Sequence, residues 1–161
     1  VKRHTARFHV DAPRADVWRM FHPRPPTDAV HPRIIEYPGG RIEVLFEGDE
    51  AGQGLVRTCT FRVPKLVGGR ARSWECIVEA RLEEYSRYSA VGKPLWSKAE
   101  GWHELEDAPD GGTFVTFTET YEVLSWLTRP LEGYVHRFIS RHNDEFFEIF
   151  LGRAGSVRRV A

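Results

Sequence analysis

The chain has 161 residues, 41% of them hydrophobic and 29% charged, with 23 Lys and Arg balanced by 23 Asp and Glu. That length suits one domain with a core of its own, and zero net charge supplies no field toward a polyanion, which disfavours nucleic acid as a partner. There is no apolar run of about 18 residues and no charged-then-apolar leader, so neither a membrane span nor a signal peptide is expected.

His4 to Val10 alternates, with Ala6, Phe8 and Val10 on one side, as a half-buried strand does. Asp11-Ala12-Pro13 then opens a short helix whose buried side is Val17, Trp18, Met20 and Phe21. Between His22 and Pro38 stand Pro23, Pro25, Pro26, Pro32 and Pro38, which forbid a long regular element. This stretch reads as a turn-rich connection, with a helical turn around Thr27 to Val30.

Six strand patterns follow, separated by turn residues: Arg41 to Glu47, Gly54 to Pro64, Ser73 to Leu82, Tyr85 to Val91, Lys98 to Leu105 and Thr113 to Leu124. In the second of these, Leu55, Arg57, Cys59, Phe61 and Val63 share a face. In the third, Trp74, Cys76, Val78, Ala80 and Leu82 do so. A hairpin centred near Val67 and Gly68 sets Cys59 opposite Cys76, and two cysteines are too few for a disulfide framework or a zinc site. They read as buried free thiols of a cytoplasmic protein. In the Lys98 to Leu105 strand, Ala99, Gly101, His103 and Leu105 form the less charged, inward face. A slip of one residue would instead bring Glu100 near Glu119.

The closing stretch from Pro130 to Leu151 carries Leu131, Val135, Phe138, Ile139, Phe146, Ile149 and Phe150 at three- and four-residue steps, the stripe of an amphipathic helix. Thr128, Pro130 and Glu132 are its start signals and Gly152 its stop. At about 1.5 Å per residue the rod is roughly 33 Å long, enough to cross a small domain. The tail from 153 to 161 is expected to be frayed. The layout is α+β: a curved antiparallel sheet of about seven strands wrapped around a long C-terminal helix, with one or two short helices after the first strand, all in a single domain of residues 1–161. One helix cannot fill a strongly curved sheet, so an internal space is expected between them.

Phe8-x-Val10-x-Ala12-Pro13-x-x-x-Val17-Trp18, the Gly52-x-Gly54-x-x-Arg57 hairpin, Trp74-Glu75, and Asp110-Gly111-Gly112-Thr113 leading into Val115-Thr116-Phe117 occur in order, with Leu131-Glu132 opening the last helix. Together they resemble the helix-grip superfamily over nearly the whole chain. That superfamily joins lipid-transfer domains related to steroidogenic acute regulatory protein, the birch-pollen allergen type, and bacterial polyketide cyclases and dehydratases. The resemblance implies a cavity for a hydrophobic small molecule, lipid, polyketide or isoprenoid-like. It does not transfer a mechanism.

The polar groups that fall on apolar faces are the candidates for chemistry, because burying them costs several kcal/mol unless something offsets it. Arg57, Glu119 and His142 stand out. Arg57 and Glu119 could simply pair with each other. As a functional set, Arg57 would hold a ligand oxygen while Glu119 or His142, the two catalytic candidates, moved a proton. The expected cavity lining is Arg57, Cys59, Trp74, Cys76 and Val78 from the middle strands, His103, Phe117, Glu119 and Tyr121 from the last two, and Val135, Phe138 and His142 from the helix. Among Tyr85, Tyr88, Tyr121 and Tyr134, the neighbours of Tyr121 favour it. The histidines lack metal spacing, His136 and His142 being six apart, so no metal or cofactor is expected. The leading expectation is a carrier or sequestering protein, monomer or homodimer. Alternatives are a cyclase or dehydratase using interior acid and base groups, and a protein-protein interaction module.

Overall fold

The computed structural model describes residues 1–22, 33–93 and 95–161. The alternating segments form one antiparallel sheet from β1 (Lys2–Val10), β2 (Arg33–Tyr37), β3 (Gly40–Phe46), β4 (Val56–Arg62), β5 (Arg70–Arg81), β6 (Tyr85–Lys93), β7 (Ser97–Asp107), β8 (Thr113–Val123) and β9 (Val157–Arg159). Their order across the sheet is β2-β3-β4-β5-β6-β7-β8-β1-β9, so β1 closes onto β8 and every other neighbour except β9 follows the chain. The strands number nine among the described residues, against an expectation of about seven. Both additions are edge strands, β2 of five residues and β9 of three, too short to show an alternating pattern in sequence. The expected helical turn around Thr27 to Val30, with Pro23, Pro25, Pro26 and Pro32, lies outside the described residues.

Among the described residues one α-helix follows the first strand, α1 (Arg14–Phe21), with Val17, Trp18 and Phe21 buried. The long helix α2 (Glu132–Leu151) is entered through a 3-10 turn at Arg129–Leu131 that carries Pro130. Thr128 makes no side-chain cap. The first-turn carboxylate of Glu132 instead accepts the Val123 backbone N–H at 3.0 Å and meets the Val1 ammonium at 3.5 Å, which suits a negative group at a helix N-terminus. The buried face of α2 runs through Val135, Ile139, Phe147, Phe150 and Leu151. Ile149, expected inside, is exposed and Phe138 is half-buried, so the stripe is rotated toward Asn143 and Phe147.

Register shifts between Val44 and Phe46 in β3 and between Ile77 and Glu79 in β5 bend the sheet, as bulges do. α2 packs against β1, β8 and β9. It therefore covers one half of the bent sheet and leaves the β3 to β6 half to face a cavity. One apolar cluster, with Phe8, Trp18, Phe21, Ile77, Phe117 and Phe147, fills the end near α1. A second, with Val63, Val67, Leu95, Val123, Val135 and Ile139, fills the end where α2 begins.

The tail is ordered rather than frayed. β9 pairs with Val10 to Phe8 of β1, and Val160 donates to the Arg7 carbonyl at 2.7 Å. The reason lies on α2: buried Asp144 accepts from Arg159 at 2.7 Å and contacts His4 Nε2 at 2.7 Å, tying tail, first strand and helix together. We expect Asp144→Ala to lose about 1–3 kcal/mol, lowering Tm by several degrees, and to accelerate amide exchange across Val157–Arg159. A lowered Tm with unchanged exchange in β9 would show that the tail is held by its backbone pairing alone.

Candidate functional site

Between α2 and the sheet, along β3 to β8, lies a cavity of about 110 Å³. Its apolar walls are Phe21, Ile42, Phe61, Ala90, Ala99, Phe117, Ile139, Phe146, Phe147 and Phe150, and its polar groups are Tyr37, Arg57, Ser73, Glu75, Tyr88, Ser97, His103, Glu119, Tyr121 and Asn143. The polar residues are set between the two apolar clusters, so each needs a partner.

They find partners in a chain. Arg57 of β4 donates from Nε to Glu75 Oε2 of β5 at 2.8 Å, with both side chains nearly buried, and Ser73 donates to Glu75 Oε1 at 3.0 Å. The Arg57 guanidinium lies 5.8 Å from the ring centre of Tyr88 on β6. Tyr88 donates its hydroxyl to Glu119 Oε2 of β8 at 3.1 Å, and Asn143 of α2 donates to the same oxygen at 3.1 Å. Among the described residues no donor reaches Glu119 Oε1. Gly101, opposite Tyr88 on β7, makes this geometry available, because the Tyr88 ring occupies the space that a Cβ at Gly101 would need.

Burial sets the protonation states. Desolvation pushes the Glu119 carboxyl up to about 7, outweighing the Tyr88 and Asn143 hydrogen bonds, with the Glu75 charge adding to the rise. Burial works against the Arg57 charge, but the adjacent Glu75 carboxylate more than offsets it and Arg57 stays cationic. His103 is held well below the usual histidine range by burial and then by Arg57, so it is neutral. It lies against Phe21 at 4.5 Å and Phe117 at 5.3 Å between ring centres, with Ser86 Oγ 3.4 Å from Nδ1. Burial also pushes the Cys59 thiol and the Tyr88 hydroxyl up. A carboxyl near neutrality beside a phenol and an amide can accept or release a proton, and aromatic and aliphatic side chains line much of the cavity around it.

The structure sorts the residues singled out by sequence. Arg57, Cys59, His103, Phe117, Glu119 and Tyr121 line the cavity, and β7 has the register with Gly101, His103 and Leu105 buried. Arg57 pairs with Glu75, not with Glu119. Trp74 and Val78 are exposed at 50% and 41% and lie on the outer face, while Cys76 is only half-buried. The inward set of β5 is Ala71, Ser73, Glu75 and Ile77, one step from the apolar-looking set. The outer face carries Trp74 beneath the Arg72 guanidinium, 5.4 Å from its ring centre. The β4–β5 turn is centred on Leu66 rather than on Val67 and Gly68. Cys59 therefore faces Ser73, and Cys76 faces Val56.

On α2, His142 does not reach the cavity. Its Nδ1 lies 2.8 Å from the Phe138 carbonyl, its ring stacks on Phe138 at 4.1 Å, and it borders a separate outer hollow with Tyr37 and Phe61. Asn143, the next residue, holds the inward position. Val135 is buried in the second cluster, and Phe138 is absent from the cavity wall. Glu75 and Asn143 were missed by sequence reasoning, and Tyr88 was considered but ranked below Tyr121. Only the adjacency of Glu75 to a cationic Arg57 across a hairpin offered a signal. No three His, Cys, Asp or Glu side chains converge as metal ligands among the described residues.

The raised Glu119 value has a direct consequence for stability. Between its ordinary 4.5 and about 7 the folded protein binds more protons at Glu119 than the unfolded chain does, so this contribution to stability falls as pH rises through that window. His22, lowered from 6.5 to about 4 chiefly by burial, acts in the opposite sense: its contribution is lost as pH falls through its own window. Glu119→Gln removes only the first effect. Its stability relative to wild type is expected to rise by on the order of 2–3 kcal/mol from about pH 4.5 to about pH 7.5, measured by urea unfolding. A pH-independent difference would mean that Glu119 ionises as it does in water.

No family model matches the chain, and no curated protein matches it in sequence. Solved structures do. Ara h 8.0201 superposes with a TM-score of 0.59 at 19% identity, covering 95% of this chain and 98% of that one. A protein of Thermus thermophilus gives 0.59 at 16%, over 95% and 97%. The major latex-like protein 151 of Panax ginseng gives 0.53 at 17%, over 88% and 96%. Identities this low speak for architecture alone, and with the sheet, the short helix and the long closing helix in place, this chain has the helix-grip fold.

Proposed function

We propose that the protein holds a small hydrophobic molecule bearing one polar group in the cavity between α2 and the sheet, as a carrier or sequestering protein of the cytoplasm. The observation that supports this reading most is the wall itself: aromatic and aliphatic over most of its surface, with the Glu119, Tyr88 and Asn143 group at one place. Such a lining, largely apolar with a few convergent polar atoms, is what small-molecule sites present. Glu119 Oε1 would meet the polar group of the guest, and Arg57, neutralised by Glu75, would supply a fixed dipole beside it. Two free thiols, Cys59 and Cys76, accord with a reducing compartment.

Size narrows the guest. A hollow of about 150 Å³ takes a benzene, so 110 Å³ admits at most one ring as the side chains stand. A lipid or polyketide would need the wall at Tyr37 and Phe146, whose rings are 4.3 Å apart, to part. A second reading, a cyclase or dehydratase, draws support from Glu119, a carboxyl near neutrality in reach of a guest.

Filling the space tests the binding reading. Ala90, buried on the inner face of β6, lines the cavity, and Ala90→Phe would occupy it at a stability cost of about 1–3 kcal/mol. We expect native mass spectrometry of protein purified from its own host to show a small-molecule adduct. Folded Ala90→Phe should lose that adduct or bind the extracted compound at least about tenfold more weakly. An adduct retained unchanged in folded Ala90→Phe would place the guest elsewhere.

A further inference from the structure

Three connections meet at the end of the sheet where α2 begins: residues 63–69 between β4 and β5, the turn after β6, and residues 124–131 between β8 and α2. Their inner residues Val63, Val67, Leu95 and Leu131 pack in one cluster, and Leu124 donates to the Trp96 carbonyl at 3.0 Å, so the outer residues are neighbours. Those outer residues are apolar: Trp126 is 84% exposed, Leu66 74% and Leu127 71%, with Trp96 and Leu124 also more than half exposed. A cluster of this kind is unusual on a soluble surface and marks an interaction site.

Charge names the partner. Residues 62–72 and 124–131 contain no Asp or Glu, yet carry Arg62, Lys65, Arg70, Arg72 and Arg129. The connections at the opposite end of the sheet hold Glu47, Asp49, Glu50, Glu83, Glu84 and Asp110 alongside Arg153. In a chain of zero net charge the connecting segments are thus polarised, cationic at the end where they are greasy. We propose that this end docks on an anionic membrane surface, with Leu66, Trp126 and Leu127 entering the headgroup layer and Lys65 and Arg129 facing lipid phosphates. Tryptophan beside cationic residues is the composition that partitions into that layer. Tips on three separate loops suit a fluid layer that closes around each of them, whereas a protein partner would need a matching hollow for each. No described helix is long and apolar enough to cross a bilayer, which fits a protein that lies on one.

The docking end also adjoins the cavity. A small hollow under the tips, lined by Val63, Val67 and Leu95, shares Phe61, Tyr121 and Ile139 with the cavity wall. Docking stands independently of the binding reading; only the idea that the guest enters from the bilayer rests on both.

Vesicle flotation tests it with the whole chain. Wild type is expected to float with vesicles of phosphatidylcholine carrying about one-third phosphatidylserine, not with phosphatidylcholine alone, and to be released by high salt. Trp126→Ser with Leu127→Ser, and separately Lys65→Glu with Arg129→Glu, should each weaken binding by at least about tenfold. Leu82→Ser, an exposed apolar position at the other end, should bind as wild type does. Absent flotation, equal flotation on neutral vesicles, or flotation untouched by both double variants would overturn the proposal. So would a dimer in sedimentation velocity that Trp126→Ser with Leu127→Ser abolishes, since that would assign the patch to a second copy. Flotation retained by Ala90→Phe would confirm that docking does not require an open cavity.

Discussion

A straight helix cannot lie flush against a bent sheet. α2 meets this constraint by seating on β1, β8 and β9 and leaving the β3 to β6 half uncovered. Everything of chemical interest follows from that choice. The bulges in β3 and β5 bend the far half away from the helix, and the side chains there point into a space that neither element can fill. Two apolar clusters flank the space and supply most of the burial that holds the fold.

The polar chain across this space is costly for a core. An ion pair, a phenol, a carboxyl near neutrality and an amide are all taken from water, and each would destabilise the fold if left alone. The cost is limited by linking them: Glu75 answers Arg57, and Tyr88 and Asn143 answer Glu119. An all-apolar wall of the same shape often folds as well, so this polar chain accords with the guest proposed above. That is why the interior supports a binding reading more strongly than its modest volume does.

Much of this was legible in the sequence. The architecture was, because alternation and the closing helical stripe are long and strong signals, and Arg57, His103 and Glu119 were found by asking which polar residues sit on apolar faces. Three things were hidden. β5 shows its apolar side to solvent, so hydrophobicity pointed Trp74 and Val78 the wrong way and concealed Glu75. On α2 a rotation of one residue decided between His142 and Asn143, finer than a stripe of apolar residues can resolve. β9 was invisible because its three residues are specified by an ion pair to the preceding helix and by pairing with the first strand at the other end of the chain, not by any pattern of their own.

That last strand also covers part of a sheet margin. The margin of a β-sheet is a template on which a neighbouring chain can zip up, the first step toward aggregates. Here three residues, two of them arginines, cover the Phe8 to Val10 stretch of the margin beside β1, and Arg159 is committed to Asp144. So short and cationic a hem repels its own likeness, and trimming the last few residues would bare the full length of β1 to that hazard.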